Sequence, residues 1–216
     1  YSIVSLPIYT AISQEPSDYA FTHVNVLTMD SADVLLDQTV VISGEKIVAL
    51  GATESVSVPH NALIIDVPGR YLMPGLTEMH GHVPGNDDQQ YLKDVLFLYI
   101  ANGVTTVRGM QGQPSHLELR AQLANHEILG PRFITSGPGL RGGSLAGPDD
   151  ARQTVLAQAS AGYDFIKLLP GLSQSEFNAV VIAANEVNIS LAGHVSVDVG
   201  VGGALDAGQA TIDHLD

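Results

Sequence analysis

The chain of 216 residues contains no cysteine and no tryptophan, and aromatic residues make up only 6% of it. Without thiols there are no disulfides and no thiolate ligands, so any metal must be held by histidine, carboxylate or a modified lysine. With so few aromatics, a core has to be packed from Val, Ile, Leu and Ala, for which an apolar share of 45% is enough. Basic residues are also scarce, 9 Lys+Arg against 23 Asp+Glu, a formal charge of −14. Such a surface repels phosphate backbones and anionic headgroups, which argues against nucleic acid and membrane partners. No apolar run approaches the roughly 20 residues of a membrane span. Residue 1 is Tyr rather than Met, so an upstream segment is expected to have been removed. Together with the missing cysteines, this slightly favours an exported or periplasmic setting over a cytoplasmic one.

What is present changes character along the chain. Residues 1–18 carry Pro7 and Pro16 without a sustained period and read as a tail or an edge strand. Residues 19–70 hold short alternating runs, FTHVNVLTM, DVLLDQTVVIS and KIVALG, with a hairpin turn at Ser43-Gly44-Glu45. No helical pattern intervenes, so this stretch predicts part of a small β-sandwich. Residues 71–216 alternate strands with helices. QQYLKDVLFLYIANG, PSHLELRAQLANHEI, PDDARQTVLAQASAG and SQSEFNAVVIAANEVN read as helices, with VGVGGALDAG as a short fifth. Six strands and five helices in alternation predict an α/β domain with a parallel sheet, either doubly wound or a (β/α)8 TIM-type barrel.

The chemistry-bearing residues gather at predicted strand ends. In the run YLMPGLTEMHGHV, a strand over residues 76–79 lets His80 and His82 face one point, because residues two apart share a face. Two imidazoles so placed suit a divalent metal. Lys167 in DFIKLL, His194 in LAGHVS and His214 in IDHLD fall at or near three later strand ends. They are spaced 27 and 20 residues apart, each about one βα unit. Any one of them alone is better explained as a core histidine, a surface residue or a paired lysine. Together, at the ends of strands one, four, five and six, they favour the barrel, whose chemistry sits at the C-terminal face, over an open sheet with one switch point.

The segments PGLTEMHGH, GVTTVRGM, GPRFITSGPG, AGYDFIKLL, LAGHVSV and ALDAGQATIDHL together resemble the amidohydrolase superfamily of metal-dependent hydrolases. They are most similar to its imidazolonepropionase-related and Xaa-Pro dipeptidase-like branch, in the family's order from about Phe21 onward. The resemblance implies a β-sandwich beside a metal-bearing barrel. It implies one divalent metal on His80 and His82 and a second on His194 and His214, zinc foremost, with Lys167 carboxylated by CO2 to a carbamate that bridges them. Two metals about 3.5–4 Å apart share a hydroxide and polarise a scissile carbonyl. The implied activity is hydrolysis of an amide bond in a dipeptide or other N-acyl amino acid. A cyclic-amide hydrolase, a deaminase of the same superfamily and a non-catalytic metal-binding remnant are the alternatives. Two departures stand out. Gly109 replaces the Asp that often follows Val-Arg on strand two, and the catalytic Asp of strand eight has no counterpart. Neither Asp213 nor Asp216 is promoted to that general-base role. A further segment of the same gene product, supplying the closing strands and that Asp, is the expected partner, with a homo-oligomer left open.

Other motifs carry less. Residues 137–142 match G-x-G-x-x-G, but Pro138 stiffens the turn and no helix opens directly behind Gly142, so they read as a loop over the active site. Asn188-Ile-Ser190 fits a glycosylation sequon that leads into a buried strand, where it would be idle. His23, His60, His116 and His126 read as structural. Arg108 divides evenly between gripping a substrate carboxylate and serving a structural ion pair.

Overall fold

The computed structural model of the protein describes residues 18–214, so the expected N-terminal tail lies outside the described residues except for Asp18. The chain divides into two compact units at residues 74/75.

The described part of the first unit is built by short β-branched runs that cannot bury both faces alone. It consists of β1 (Asp18–Leu27), β2 (Val34–Ser43), β3 (Lys46–Ala52), β4 (Leu63–Asp66) and β5 (Tyr71–Leu72). The strands form one sheet in the order β3-β2-β1-β4, with β5 also on β1. β1 runs antiparallel to β2 but parallel to β4 and β5. Between β2 and β3 the chain turns through Gly44 at φ 56°, the left-handed conformation that glycine adopts without a steric cost. Val24, Val26 and Val40 form the apolar centre, with Phe21, Ile42, Val67 and Leu72 against it. Of the sandwich expected to include residues 19–70, the described residues of this unit form a single mixed sheet. Leu36, Ile47, Val48 and Ile64 on it are exposed.

The second unit alternates as its periodicity demands. Its order is β6 (Leu76–Gly81), α1 (Gln89–Ala101), β7 (Val104–Gly109), α2 (Ser115–Ala124), β8 (Arg132–Thr135), α3 (Pro148–Ala161), β9 (Phe165–Leu168), α4 (Gln174–Glu186), β10 (Ser190–Gly193), α5 (Gly200–Asp206) and β11 (Thr211–Ile212). Local chemistry explains the limits of the helices. Asp88 caps α1 by accepting from the backbone N–H of Gln90 and Tyr91. Ser173 and Glu176 form a reciprocal capping box on α4. Gly162 at φ 90° ends α3 in the left-handed conformation. α2 stops at Ala124, four residues short of the apolar pattern, and His126 just beyond it has φ 57°.

All neighbouring strands of this unit are parallel. β6-β7-β8 and β9-β10-β11 are two ladders. Parallel bridges Ser136 to Phe165 and Leu140 to Leu168 carry the order across from one to the other. The spatial order is therefore the chain order, without the reversal that defines a doubly wound sheet. Two apolar clusters support it. Val83, Leu92, Leu96, Val107, Leu119 and Phe133 pack α1 and α2 onto the first ladder. Val155, Ile166, Leu168, Phe177, Val180 and Leu191 do the same for α3 and α4 on the second. All four residues of β9 are buried, as expected of a parallel strand covered on both faces.

Candidate metal centre

The strand ends of the second unit converge. β6 delivers His80 as its penultimate residue and His82 just past Gly81, with ring centroids 5.4 Å apart. His80 N–H is held by the Glu78 carboxylate at 2.7 Å. β10 ends on Gly193 at φ 127°, where a Cβ would lie 2.2 Å from the Leu168 carbonyl oxygen and 3.0 Å from Lys167 Cδ. Only glycine lets the chain pass there, and His194 follows at once, its N–H donating to Leu168 O at 3.0 Å. β11 is shorter than its pattern suggests. The chain leaves the strand after Ile212, and His214 takes φ 63°. The His214 ring then stands 4.9 Å from that of His194 and 4.8 Å from that of His80.

That last distance constrains the whole unit. Strands 4.7–4.9 Å apart would place the first and sixth of a flat sheet about 24 Å apart. Side chains from β6 and from the end of β11 nevertheless meet, so the row of strands is strongly curled.

Lys167 sits within β9, its side chain 3% exposed, with Nζ donating to Asp213 Oδ2 at 2.8 Å. Thr211 Oγ1 donates to the other oxygen of Asp213 at 3.1 Å, and His80 Nδ1 lies 3.5 Å from Oδ2. Burial alone would raise the Asp213 pKa, but the hydrogen bond and charge of Lys167, aided by Thr211 and His80, hold it below the ordinary value. Burial, followed by the charge of Lys167, holds His80 below the ordinary histidine value against the pull of Asp213. His80 is therefore neutral at pH 7, the form in which imidazole ligates.

All five predicted residues, His80, His82, Lys167, His194 and His214, line one cavity of about 230 Å³ with Met110, Gln111, Gly139, Arg141 and Leu169. A second cavity of about 540 Å³ shares His194 and His214 and extends past Leu172, Val197, Asp198 and Ile212. Among the described residues no three His, Asp or Glu side chains close on a single point, so the rings stand side by side rather than around a centre. The donor set nevertheless fits a divalent metal. Imidazole nitrogens are common ligands of zinc and its neighbours, and four imidazoles line this one cavity.

Arg108 is not in that wall. Its guanidinium stacks on Phe165 at 4.5 Å and donates to Thr211 Oγ1 at 3.3 Å. His116 is fully buried, bonded to Pro84 O at 3.2 Å and edge-on to Phe133. His23 pairs with Asp37 at 2.9 Å in the first unit. Asp213 is the residue that strand alternation hides. Next to His214 on a straight strand it would face away, but β11 ends before either residue, so both turn inward.

The amidohydrolase family model matches residues 71–215, two-thirds of the chain and all of the curled row. The chain belongs to the amidohydrolase family. Curated relatives of this amidohydrolase include an adenine deaminase from Mesorhizobium japonicum, 21% identical over 206 residues, covering 88% of this chain and 34% of that protein. Among solved structures, a candidate prolidase from Bifidobacterium longum is 27% identical with a TM-score of 0.79, covering 91% of this chain and 54% of that one. A Xaa-Pro dipeptidase with methionine bound in its active site shares the fold at 21% identity and a TM-score of 0.76, over 91% and 61% of the two chains. The amidohydrolase chain thus spans about a third of the length of the curated relative and a little over half that of the structures.

Proposed function

We propose that the chain carries the metal-binding part of a hydrolase acting on a C–N bond, with a dipeptide or other N-acyl amino acid as substrate. The observation behind this reading is the meeting of four imidazoles and one buried lysine, drawn from β6, β9, β10 and β11, around a single cavity. His80 with His82 and His194 with His214 would hold the metals, and Lys167, as a carbamate, would lie between the pairs. A divalent cation bound there supplies Lewis-acid polarisation of a carbonyl and an acidified water. The protein's own part is to orient and to move protons. Glu78 fixes the backbone of His80, and Leu168 O lies 3.3 Å from Nδ1 of His194, orienting the ring. Lys167 Nζ must lose a proton before it can react with CO2, and the contact with Asp213 Oδ2, which favours the ammonium, has to be given up for that.

The curl and the chain-order strands support a closed (β/α)8 barrel. Among the described residues, β6 and β11 each pair on one side only. Closure would come from a further segment of the same product, bringing two more strands and a carboxylate general base. Deamination is the second reading, favoured by the adenine deaminase relatives.

Elemental analysis of purified protein tests the centre. His80→Ala or His82→Ala should deplete one metal equivalent and His194→Ala or His214→Ala another. Lys167→Ala should remove most of the second metal and most of the activity, with partial rescue by acetate. Amine release from N-acyl amino acids set against ammonia release from adenine separates the two readings. Unchanged metal content in all five variants would end the proposal.

A further inference from the structure

The loop between β8 and α3 is sewn to the strand that carries Lys167. Leu140 N–H donates to Lys167 O at 2.9 Å, Leu169 N–H to Leu140 O at 2.8 Å, and Gly142 N–H to Pro170 O at 3.1 Å. Residues 140–142 therefore run as an extra extended segment beside the end of β9, and side chains along it alternate. Leu140 points into the apolar core and is 2% exposed. Its neighbours Gly139 and Arg141 take the opposite face and line the histidine cavity. A Cβ on Gly139 would lie 3.5 Å from Lys167 Cγ, and one on Gly142 would lie 1.7 Å from the Gly171 carbonyl oxygen. The two glycines thus let the loop press directly against β9, with Arg141 anchored between them.

Arg141 is exposed and lines the cavity, and its guanidinium has nothing to hold. Among the described residues Arg141 makes no side-chain hydrogen bond or ion pair. Lys167, the other cation of the cavity wall, is paired with Asp213. Arg108, which the sequence divides evenly between gripping a carboxylate and a structural pair, is engaged by Thr211 and Phe165. A chain with a formal charge of −14 also repels anions at long range, so an anionic substrate needs a local cation at the cavity.

We infer that Arg141 is the specificity-determining residue of this site and receives a carboxylate of the substrate. The inference rests on the hydrolase reading above and narrows it. The planar fork of a guanidinium matches a carboxylate in a bidentate hydrogen bond. A neutral purine offers no such group, so Arg141 directs the site toward N-acyl amino acids and dipeptides and away from adenine.

Calorimetric titration of the full chain with N-acetylalanine and with N-acetylalaninamide tests this, with metal content measured on every sample. The acid should bind about 10- to 100-fold more tightly than the amide, the range of a charge-assisted hydrogen bond. Arg141→Met should erase that preference while leaving amide binding and metal content unchanged, and Arg141→Lys should keep part of it. Equal binding of acid and amide, no binding of either, or a preference that survives in Arg141→Met would overturn the inference. Failure of the underlying reading looks different: a chain that takes up no metal yet prefers the acid through Arg141.

Discussion

Lys167 and Asp213 form a buried ion pair among the converging strand ends, and its removal is expected to have a large and specific cost. At 2.8 Å and an effective dielectric of about 20, the attraction is about 6 kcal/mol, offset by the desolvation of both groups. Asp213→Asn keeps the shape but leaves the Lys167 ammonium, 3% exposed, without its counter-ion. Breaking a buried pair from one side costs about 3–5 kcal/mol. Removing both charges, as in Lys167→Met with Asp213→Asn, should recover most of that loss, because an apolar replacement leaves no buried charge. The measurement is urea unfolding of chelator-treated protein at pH 7 for the parent, both single variants and the double. The sign with pH follows from the lowered Asp213 pKa. Its contribution is complete above the ordinary value of 3.8 and is lost as pH falls through the lowered folded value, so pH 7 reports all of it. If Asp213→Asn stays within about 1 kcal/mol of the parent, or costs the same with and without Lys167, the pair does not have this role.

His116 supplies a second pH test. Burial holds its pKa below 6.5 despite hydrogen bonds to the Pro84 and Val83 carbonyls, so its contribution is complete above pH 6.5 and is lost as pH falls toward the lowered value. The urea midpoint of the parent should therefore fall between pH 7.5 and 5.5 by more than that of His116→Phe, so that any gap between them narrows. Gly142→Ala, with its Cβ 1.7 Å from the Gly171 carbonyl oxygen, should force the loop off β9 at a cost of about 1–3 kcal/mol. An unchanged thermal midpoint for that variant would mean that the close approach at Gly142 is not required.

Helices and strands of the second unit were readable because each buries one face against its neighbours, and the apolar period reports that face. α1, α3 and α4 end within two residues of their patterns, since Gly103, Gly162 and the Ser173 box are local signals. The histidines were readable for a related reason. A residue two positions from another, or one βα unit from the next, shows as spacing, and the structure brings these ones to one cavity. Asp213 and Arg141 were not, because their places depend on non-local events. β11 stops at Ile212 instead of running on, and residues 140–142 attach themselves to β9 through backbone hydrogen bonds that leave no mark on residue type. The sequence showed the strands of the first unit but not how many layers they form. Alternating runs reveal that a strand has two faces but not what, if anything, lies against each of them.

Because the strands of the curled row follow one another in space as they do in the chain, the centre also has an order in time. A ribosome adding about 5–20 residues per second delivers His214 roughly 7–26 s after His82. At the start of that interval the nascent chain holds, of the cavity's imidazoles, only those of His80 and His82, and His194 follows 20 residues before His214. Lys167 is made in the middle of the interval, but its counter-ion lies 46 residues further on. A charged lysine cannot be buried alone without a large penalty. β9 therefore cannot seat fully until β11 has emerged, and the second ladder is completed by its last and shortest strand.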